Sequence, residues 1–357
     1  MAKKQISKKS GTKSAKSSKK IILLVVELLV LVVALAFLGV AIFLEDKGPE
    51  RVNIEVDDLD IHVDVQENET MKGYRNIALF GVDSTTGELK NKTRSDTIII
   101  ASINLETKDV KLVSVYRDTF LNLGNDTYTK CNAAYQKGGP EQAIQMLNTN
   151  LDMDITDFIT VGFKGLKDVV DALGGVEIEI TKGEISHLNN YQYSMAEDMK
   201  IEYTPVKEPG LQKLNGLQAV AYCRIRQIGN DFQRTERQRT VLTQISEKAK
   251  TMSVSQLNEI ATSAFSEVYT SLELQEILDM ITEITDYKIV ESAGFPEMNK
   301  LKTGTIGSHG SCVVPVNLAE SVSWLHEFLF EEENYQVTER VQKNSDTIDA
   351  KTSEYLK

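Results

Sequence analysis

Short apolar runs alternate with amphipathic stretches from about residue 73 to residue 330, and this alternation sets the expected fold. Residues 76–83 (Asn-Ile-Ala-Leu-Phe-Gly-Val-Asp), 96–103 and 110–116 are brief Ile- and Val-rich runs bounded by polar residues and read as strands, the last two joined by the turn Glu106-Thr-Lys-Asp109. Residues 141–150, introduced by Gly138-Gly-Pro140, and 163–173, stopped by Gly174-Gly175, have one apolar face each and read as helices. Further strands are expected at 158–161, 176–180 and 287–294. Helices are expected from the cap at Asn215 to Ala221 and at about 235–252, 255–265, 272–285 and 318–330. Residues 181–209 lack clear periodicity and read as a long loop, with Tyr191, Tyr193 and Met195 as candidate substrate contacts. The order of elements predicts an α/β fold, an α/β/α sandwich with a central mixed sheet.

The longest apolar run lies before this domain. Ile21 to Leu44 is apolar except for Glu27, long enough to span a bilayer, and too long for the core of a cleaved signal peptide. Eight lysines precede it and Glu45-Asp46 follow, which predicts a cytoplasmic N-terminus and an extracytoplasmic remainder. The expected organisation is a basic tail (1–20), one transmembrane helix (21–44), a stalk (45–72) with a short strand at 52–56, a folded domain (73–335) and a disordered, charged tail (336–357).

Setting aside the eight lysines and Glu27, the formal net charge of −12 becomes −19 for the rest, which argues against a nucleic-acid partner. Cys131, Cys223 and Cys312 are odd in number and widely spaced, so they imply no disulfide framework; Cys131 and Cys223 read as inert core thiols. The four histidines have no metal-ligand spacing, and there is no Walker A loop or Gly-x-Ser-x-Gly elbow.

Against that acidic background, residues 223–239 hold Arg224, Arg226, Arg234, Arg237 and Arg239. Arg224 and Arg226 would share one face of a strand, and Arg234 and Gln238 one face of a helix beginning nearby. A loop leading into a helix start lined with arginine suits a phosphate or pyrophosphate. Arg237 and Arg239 fall at other helix angles and read as surface charges. Antiparallel pairing of the first three strands would bring Asp83, Arg94, Asp96, Arg117 and Asp118 to the same sheet end. Phosphoryl transfer needs positioned cations around the phosphates, so these two clusters together suggest that chemistry.

Gly81-Val-Asp83, Arg94-Ser-Asp-Thr97, Ser114-Val-Tyr-Arg-Asp118, Lys130-Cys-Asn-Ala-Ala-Tyr135, Gly174-Gly175, Arg224-Ile-Arg226 and Asp231-Phe-Gln-Arg-Thr-Glu-Arg-Gln-Arg239 resemble the ordered motifs of the LytR-CpsA-Psr family. The resemblance runs from about Asn76 to Thr243. It implies a phosphotransferase moving a phosphoglycan, such as teichoic acid or capsule, from an undecaprenyl-pyrophosphate carrier to muramic acid of peptidoglycan. It further implies Mg²⁺ (or Mn²⁺) at Asp83 and Asp96, and pyrophosphate binding by Arg94, Arg117, Lys130, Arg224, Arg226, Arg234 and Gln238. Arg94 and Arg117 would act in catalysis, with Asp118, Asp231 or a substrate phosphate taking the acceptor proton. An apolar tunnel for the prenyl chain is also implied; helices at 141–151, 163–173 and 257–284 are candidates for its lining. Tyr116 stands where the family commonly has proline, and Gln233 where glycine is usual. A hydrolase of lipid pyrophosphates and a non-catalytic reader of lipid-linked intermediates are the alternatives.

Overall fold

The computed structural model describes residues 48–84, 88–90, 92–229 and 231–356. The chain separates into Met1–Gly48 and Pro49–Lys357, and the second unit carries all that follows. The apolar run 21–44 lies outside the described residues, and no helix among the described residues is long and apolar enough to cross a membrane.

A seven-stranded mixed sheet forms the centre. Its strands are β1 (Glu50–Arg51), β2 (Tyr74–Val82), β3 (Ser95–Asn104), β4 (Asp109–Val115), β7 (Asp157–Gly162), β10 (Val268–Thr270) and β11 (Lys288–Phe295), in the order β1-β10-β7-β2-β3-β4-β11. The expected antiparallel β2-β3-β4 unit is present, with β7 parallel to β2 and β11 parallel to β4. Three two-stranded ladders flank the sheet: β5 (Phe120–Asn122) with β6 (Tyr128–Lys130), β8 (Val176–Ile180) with β9 (Gly210–Leu214), and β12 (Leu301–Thr305) with β13 (Ser311–Pro315).

Because side chains alternate across a strand, the Ile-rich runs feed two cores. Ala78, Phe80, Ile98, Ile100 and Val113 face a core shared with α2 (Ala133–Leu151) and α9 (Leu318–Phe330). Ile77, Ile99, Ala101 and Leu112 face the other side, with Leu242 of α6 (Asp231–Lys250) packed against them. The remaining helices are the single turn α1 (Val63–Gln66), α3 (Phe163–Ala172), α4 (Glu184–Met199), α5 (Gly216–Arg224), α7 (Val254–Ala264), α8 (Leu274–Thr282) and α10 (Glu339–Thr352).

Several expectations are corrected. Residues 181–209 are a loop only in part: α4 occupies 184–199 and packs Met195 and Ala196 beside Val220 of α5, while 200–209 are irregular. Helix α2 begins before Pro140, and its two segments meet at Gly139, whose φ of 67° suits glycine. The strand expected at 52–56 is β1 instead, and Leu59, Val65 and Met71 are buried in the main core, so the expected stalk is largely folded. The expected disordered tail contains α10, with Val341 and Ile348 buried. Polar contacts hold it there. Asp152, the left-handed cap of α2, accepts the Thr338 backbone N–H (2.8 Å) and hydroxyl (2.7 Å), while the buried Asn344 side chain accepts from Tyr128 Oη at 2.8 Å.

Arg237 is buried rather than at the surface. Its Nε donates to Glu184 Oε1 at 2.7 Å, and its other nitrogens donate to the Ile225 and Ile228 carbonyls at 3.2 and 3.3 Å. Burial pushes the Glu184 carboxyl up, but the Thr181 N–H and the Arg237 guanidinium outweigh it and hold Glu184 below the usual range. The pair clamps residues 225–228 between α4 and α6. Glu184→Ala and Arg237→Ala should each destabilise the domain by about 3 kcal/mol, because either leaves a buried charge unpaired. The double variant should fall well short of the summed losses, a non-additivity that denaturant titration of the cycle would reveal.

His326 supplies a pH-dependent contribution. Its Nε2 lies 3.0 Å from the Leu151 carbonyl, so Nε2 carries the hydrogen, and its ring stacks on Tyr335 with centroids 3.6 Å apart. Burial depresses its pKa to about 4. The unfolded chain, titrating near 6.5, therefore binds the proton more readily, so this contribution is present above about pH 6.5 and lost as pH falls toward 4. On the order of 3 kcal/mol should disappear across that window; His326→Phe should lack this dependence, so the wild-type minus variant stability difference measured by denaturation should fall by that amount between pH 6.5 and 4.

Candidate active site

The site forms where β2 ends and β3 begins, beside α3, α5 and α6. Gly81 pairs with Thr97, and a Cβ at Gly81 would lie 2.8 Å from the Thr97 Cβ, so the close approach requires glycine. Immediately afterwards the register shifts, setting Val82 opposite Ser95. Such an irregularity re-aims side chains; the extra, unpaired residue on β3 is Asp96 itself, and Asp83 directly follows Val82 on β2.

Asp96 is the hub. One carboxylate oxygen accepts from Arg117 at 2.6 Å and the other from Arg226 at 2.7 Å, with Arg234 Nη1 3.8 Å away. Burial pushes its pKa up, but Arg117, Arg234 and Arg226 outweigh this and hold it below the ordinary carboxylate range. Arg234 is almost wholly buried; it donates to the Asp96 carbonyl at 2.9 Å and pairs with Asp231 at 3.0 Å. Burial lowers its pKa to about 10, still charged at neutral pH. Asp231 is pushed up by burial, offset only in part by Arg234 and Arg117. Arg117 Nε has Asp118 and Asp231 each 3.6 Å away, and Lys130 pairs with Asp118 at 3.0 Å. A continuous chain of alternating charge thus runs from Lys130 to Arg226.

A cavity of about 780 Å³ opens at this cluster. Asp83, Arg94, Asp96, Arg117, Arg224, Arg226, Arg234 and Gln238 line its polar end. Its deep walls are apolar and come from Leu79, Ile99, Ile159 and Val161 of the sheet, Phe163, Leu166 and Val169 of α3, and Val241, Leu242 and Ile245 of α6. Of the three helical stretches expected to line a tunnel, 163–173 does so. The 141–151 and 257–284 stretches supply no wall residue.

The sequence-predicted residues divide accordingly. Asp83 and Arg94 are exposed at the mouth, Arg94 donating to Gln136 Oε1 at 3.2 Å. Arg224 and Arg226 do reach one cavity, but not from a strand: Arg224 ends α5 and Ile225 turns the chain. Gln238 lines the cavity with its Oε1 buried and without a hydrogen-bond donor. Lys130, Asp118 and Asp231 are not among the wall residues: Asp118 and Asp231 flank Arg117, Asp231 also pairs with Arg234, and Lys130 pairs with Asp118. Arg239, read as a surface charge, is half-buried, with Nε and Nη1 shielded from solvent. Met195 is core rather than a contact, whereas Tyr191 lines the cavity. Cys131, Cys223 and Cys312 are free and buried; Cys223, in α5, is pushed up to about 12 by burial.

Both motif departures are accommodated. Tyr116 packs edge-on against Phe232, centroids 4.4 Å apart, over Gly294, where a Cβ would meet the Tyr116 hydroxyl at 2.0 Å. Gln233 lies inside α6, where ordinary helical backbone makes no demand for glycine.

Comparison with known proteins agrees with this arrangement. The sequence profile of the LytR_cpsA_psr family matches residues 46–311. The polyisoprenyl-teichoic acid--peptidoglycan teichoic acid transferase TagV of Bacillus subtilis (strain 168) is 30% identical over 191 residues, covering 52% of this chain and 46% of that protein. Biofilm regulatory protein A of Streptococcus mutans serotype c (strain ATCC 700610 / UA159) is 31% identical over 211 residues, covering 56% of this chain and 50% of that protein. The chain spans about half the length of these curated relatives. In fold it is similar to the LytR-CPS2A-psr family protein YwtF (TagT) with bound octaprenyl pyrophosphate lipid. That likeness has a TM-score of 0.57 and 22% identity, and covers 78% of this chain and 99% of that one. With three quarters of its length matched by the family profile, the chain belongs to the LytR-CpsA-Psr family.

Proposed function

We propose that this chain is a phosphotransferase that moves a phosphoglycan from an undecaprenyl-pyrophosphate carrier to the muramic-acid hydroxyl of peptidoglycan. The observation that carries this reading is the cluster of guanidinium groups at the mouth of a deep apolar cavity. A lipid-linked pyrophosphate has that polarity, an anionic head on a hydrocarbon tail. The relatives' names, with their teichoic acid transfer to peptidoglycan and bound prenyl pyrophosphate, point to the same substrate class. The charge asymmetry around residues 21–44 supports an anchored protein with this domain outside the membrane.

In the reaction, the acceptor oxygen attacks the phosphorus on the glycan side. A P–O bond to that oxygen forms, the P–O bond to the prenyl phosphate breaks, and the acceptor proton is lost. Arg117, Arg226 and Arg234 stabilise charge on the phosphates, with Arg94 and Arg224 completing the ring of cations. Asp118 and Asp231 flank Arg117, and Asp231 also pairs with Arg234, so both carboxylates are engaged and a phosphate oxygen of the substrate would take the proton. Asp83 and Asp96 fit Mg²⁺ (or Mn²⁺), because both line the same cavity and Asp96 is held ionised. Among the described residues no cluster of three or more His, Cys, Asp or Glu could hold a metal alone, which fits an ion that takes its remaining ligands from phosphate. Such an ion would neutralise phosphate charge as the bond breaks.

The protein should be incubated with Mg²⁺, a defined prenyl-pyrophosphate glycan and peptidoglycan oligomers, and the products identified by mass. A peptidoglycan-phosphoglycan adduct and prenyl monophosphate are expected. Arg226→Ala or Asp96→Ala should lower the rate by about 10²–10³-fold in folded protein. Free phosphoglycan released without acceptor would instead identify a hydrolase, and binding without turnover a reader.

A further inference from the structure

Arg224 differs from the other cavity arginines. Arg117 and Arg226 are bonded to the Asp96 carboxylate, Arg234 to Asp231, and Arg94 to Gln136. Arg224 has no hydrogen-bond or ion-pair partner among the described residues. Its guanidinium carbon lies 4.6 Å from the Phe163 ring centroid and 5.2 Å from that of Tyr191.

Three elements build this arrangement. Phe163 opens α3 where β7 ends, Tyr191 projects from α4, and Arg224 closes α5. All three line the cavity, and the Tyr191 hydroxyl is itself fixed by accepting from Gln227 Nε2 at 3.2 Å. A guanidinium is planar and its donors radiate within the plane. Aromatic rings against it therefore fix its orientation while leaving its charge and N–H edge available, as a carboxylate partner would not. A phosphate approaching Arg117 or Arg226 competes with Asp96; one approaching Arg224 displaces nothing.

We propose that Phe163 and Tyr191 are positioning residues that hold Arg224 as an uncommitted phosphate donor, set apart from the Asp96 cluster. This rests on the pyrophosphate reading above. Arg224 takes one phosphate of the arriving pyrophosphate while the Asp96-linked arginines rearrange around the other.

The test is binding of octaprenyl pyrophosphate to the full chain in detergent. Tyr191→Leu, apolar and of related size but not aromatic, should weaken binding about fivefold, whereas Tyr191→Phe should stay within about twofold of wild type. In an Arg224→Ala background Tyr191→Leu should change affinity no further. A loss from Tyr191→Leu that is equal with and without Arg224 would show a purely structural role and overturn the assignment. Unchanged affinity in Tyr191→Leu beside clear wild-type binding would overturn this assignment alone. Wild-type protein that fails to bind prenyl pyrophosphate would overturn the functional reading and this assignment with it.

Discussion

The carboxylate of Asp96 makes the rest of the site possible. Three guanidinium groups converge within 4 Å of it or of its partners, one of them nearly devoid of solvent, and like charges at that range repel strongly in a medium of low dielectric constant. Asp96 and Asp231 offset that repulsion. The arrangement holds the cations close together in advance, in the manner of a preorganised anion site. On the proposed function, a phosphate at Arg224 displaces nothing, whereas one at Arg117 or Arg226 must take over guanidinium contacts that Asp96 now makes. That exchange is favourable only if the carboxylate gains another partner, and a divalent cation shared with phosphate is one that chemistry supplies readily.

The apolar half of the cavity follows from sheet geometry. The same alternation that sends Phe80 and Ile98 into one core sends Leu79 and Ile99 to the opposite face. There α3 and α6 stand off from the sheet and leave space along the strand ends. The polarity of the cavity is thus written into one strand pair: the ends carry Asp83 and Asp96, and the residues just inside are hydrocarbon. A ligand that buries its tail against Leu79 and Ile99 brings its head to the arginines without further steering.

The central hairpins were legible because strand alternation and polar turns are local signals. From them the meeting of Asp96 with Arg117 followed directly. The Arg224–Arg226 segment reached the correct cavity for a wrong reason, since strand-like alternation there is a helix end followed by an extended residue. Helix α4 and helix α10 were missed because their buried faces are partly polar. Leu188, Gln192 and Met195 share the inward face of α4, and Val341, Asn344, Ser345 and Ile348 that of α10. Helical spacing is present in both, but a count of apolar positions does not register an inward-facing amide such as Gln192 or Asn344.

Arg237 shows the same limit from the other direction. Its helix angle separates it from the Arg234–Gln238 face, and solvent is the ordinary destination of an arginine so placed. What takes it inward is Glu184, whose contribution depends on α4 existing. Once α4 is in place, the Arg237–Glu184 pair fixes the Ile225 and Ile228 carbonyls, and the intervening Arg226 is presented to Asp96. The unrecognised helix therefore underlies the most visible motif twice, through Glu184 behind Arg226 and through Tyr191 beside Arg224. An arginine-rich stretch can name the chemistry of a site, but the aim of each arginine is set by the elements that enclose it.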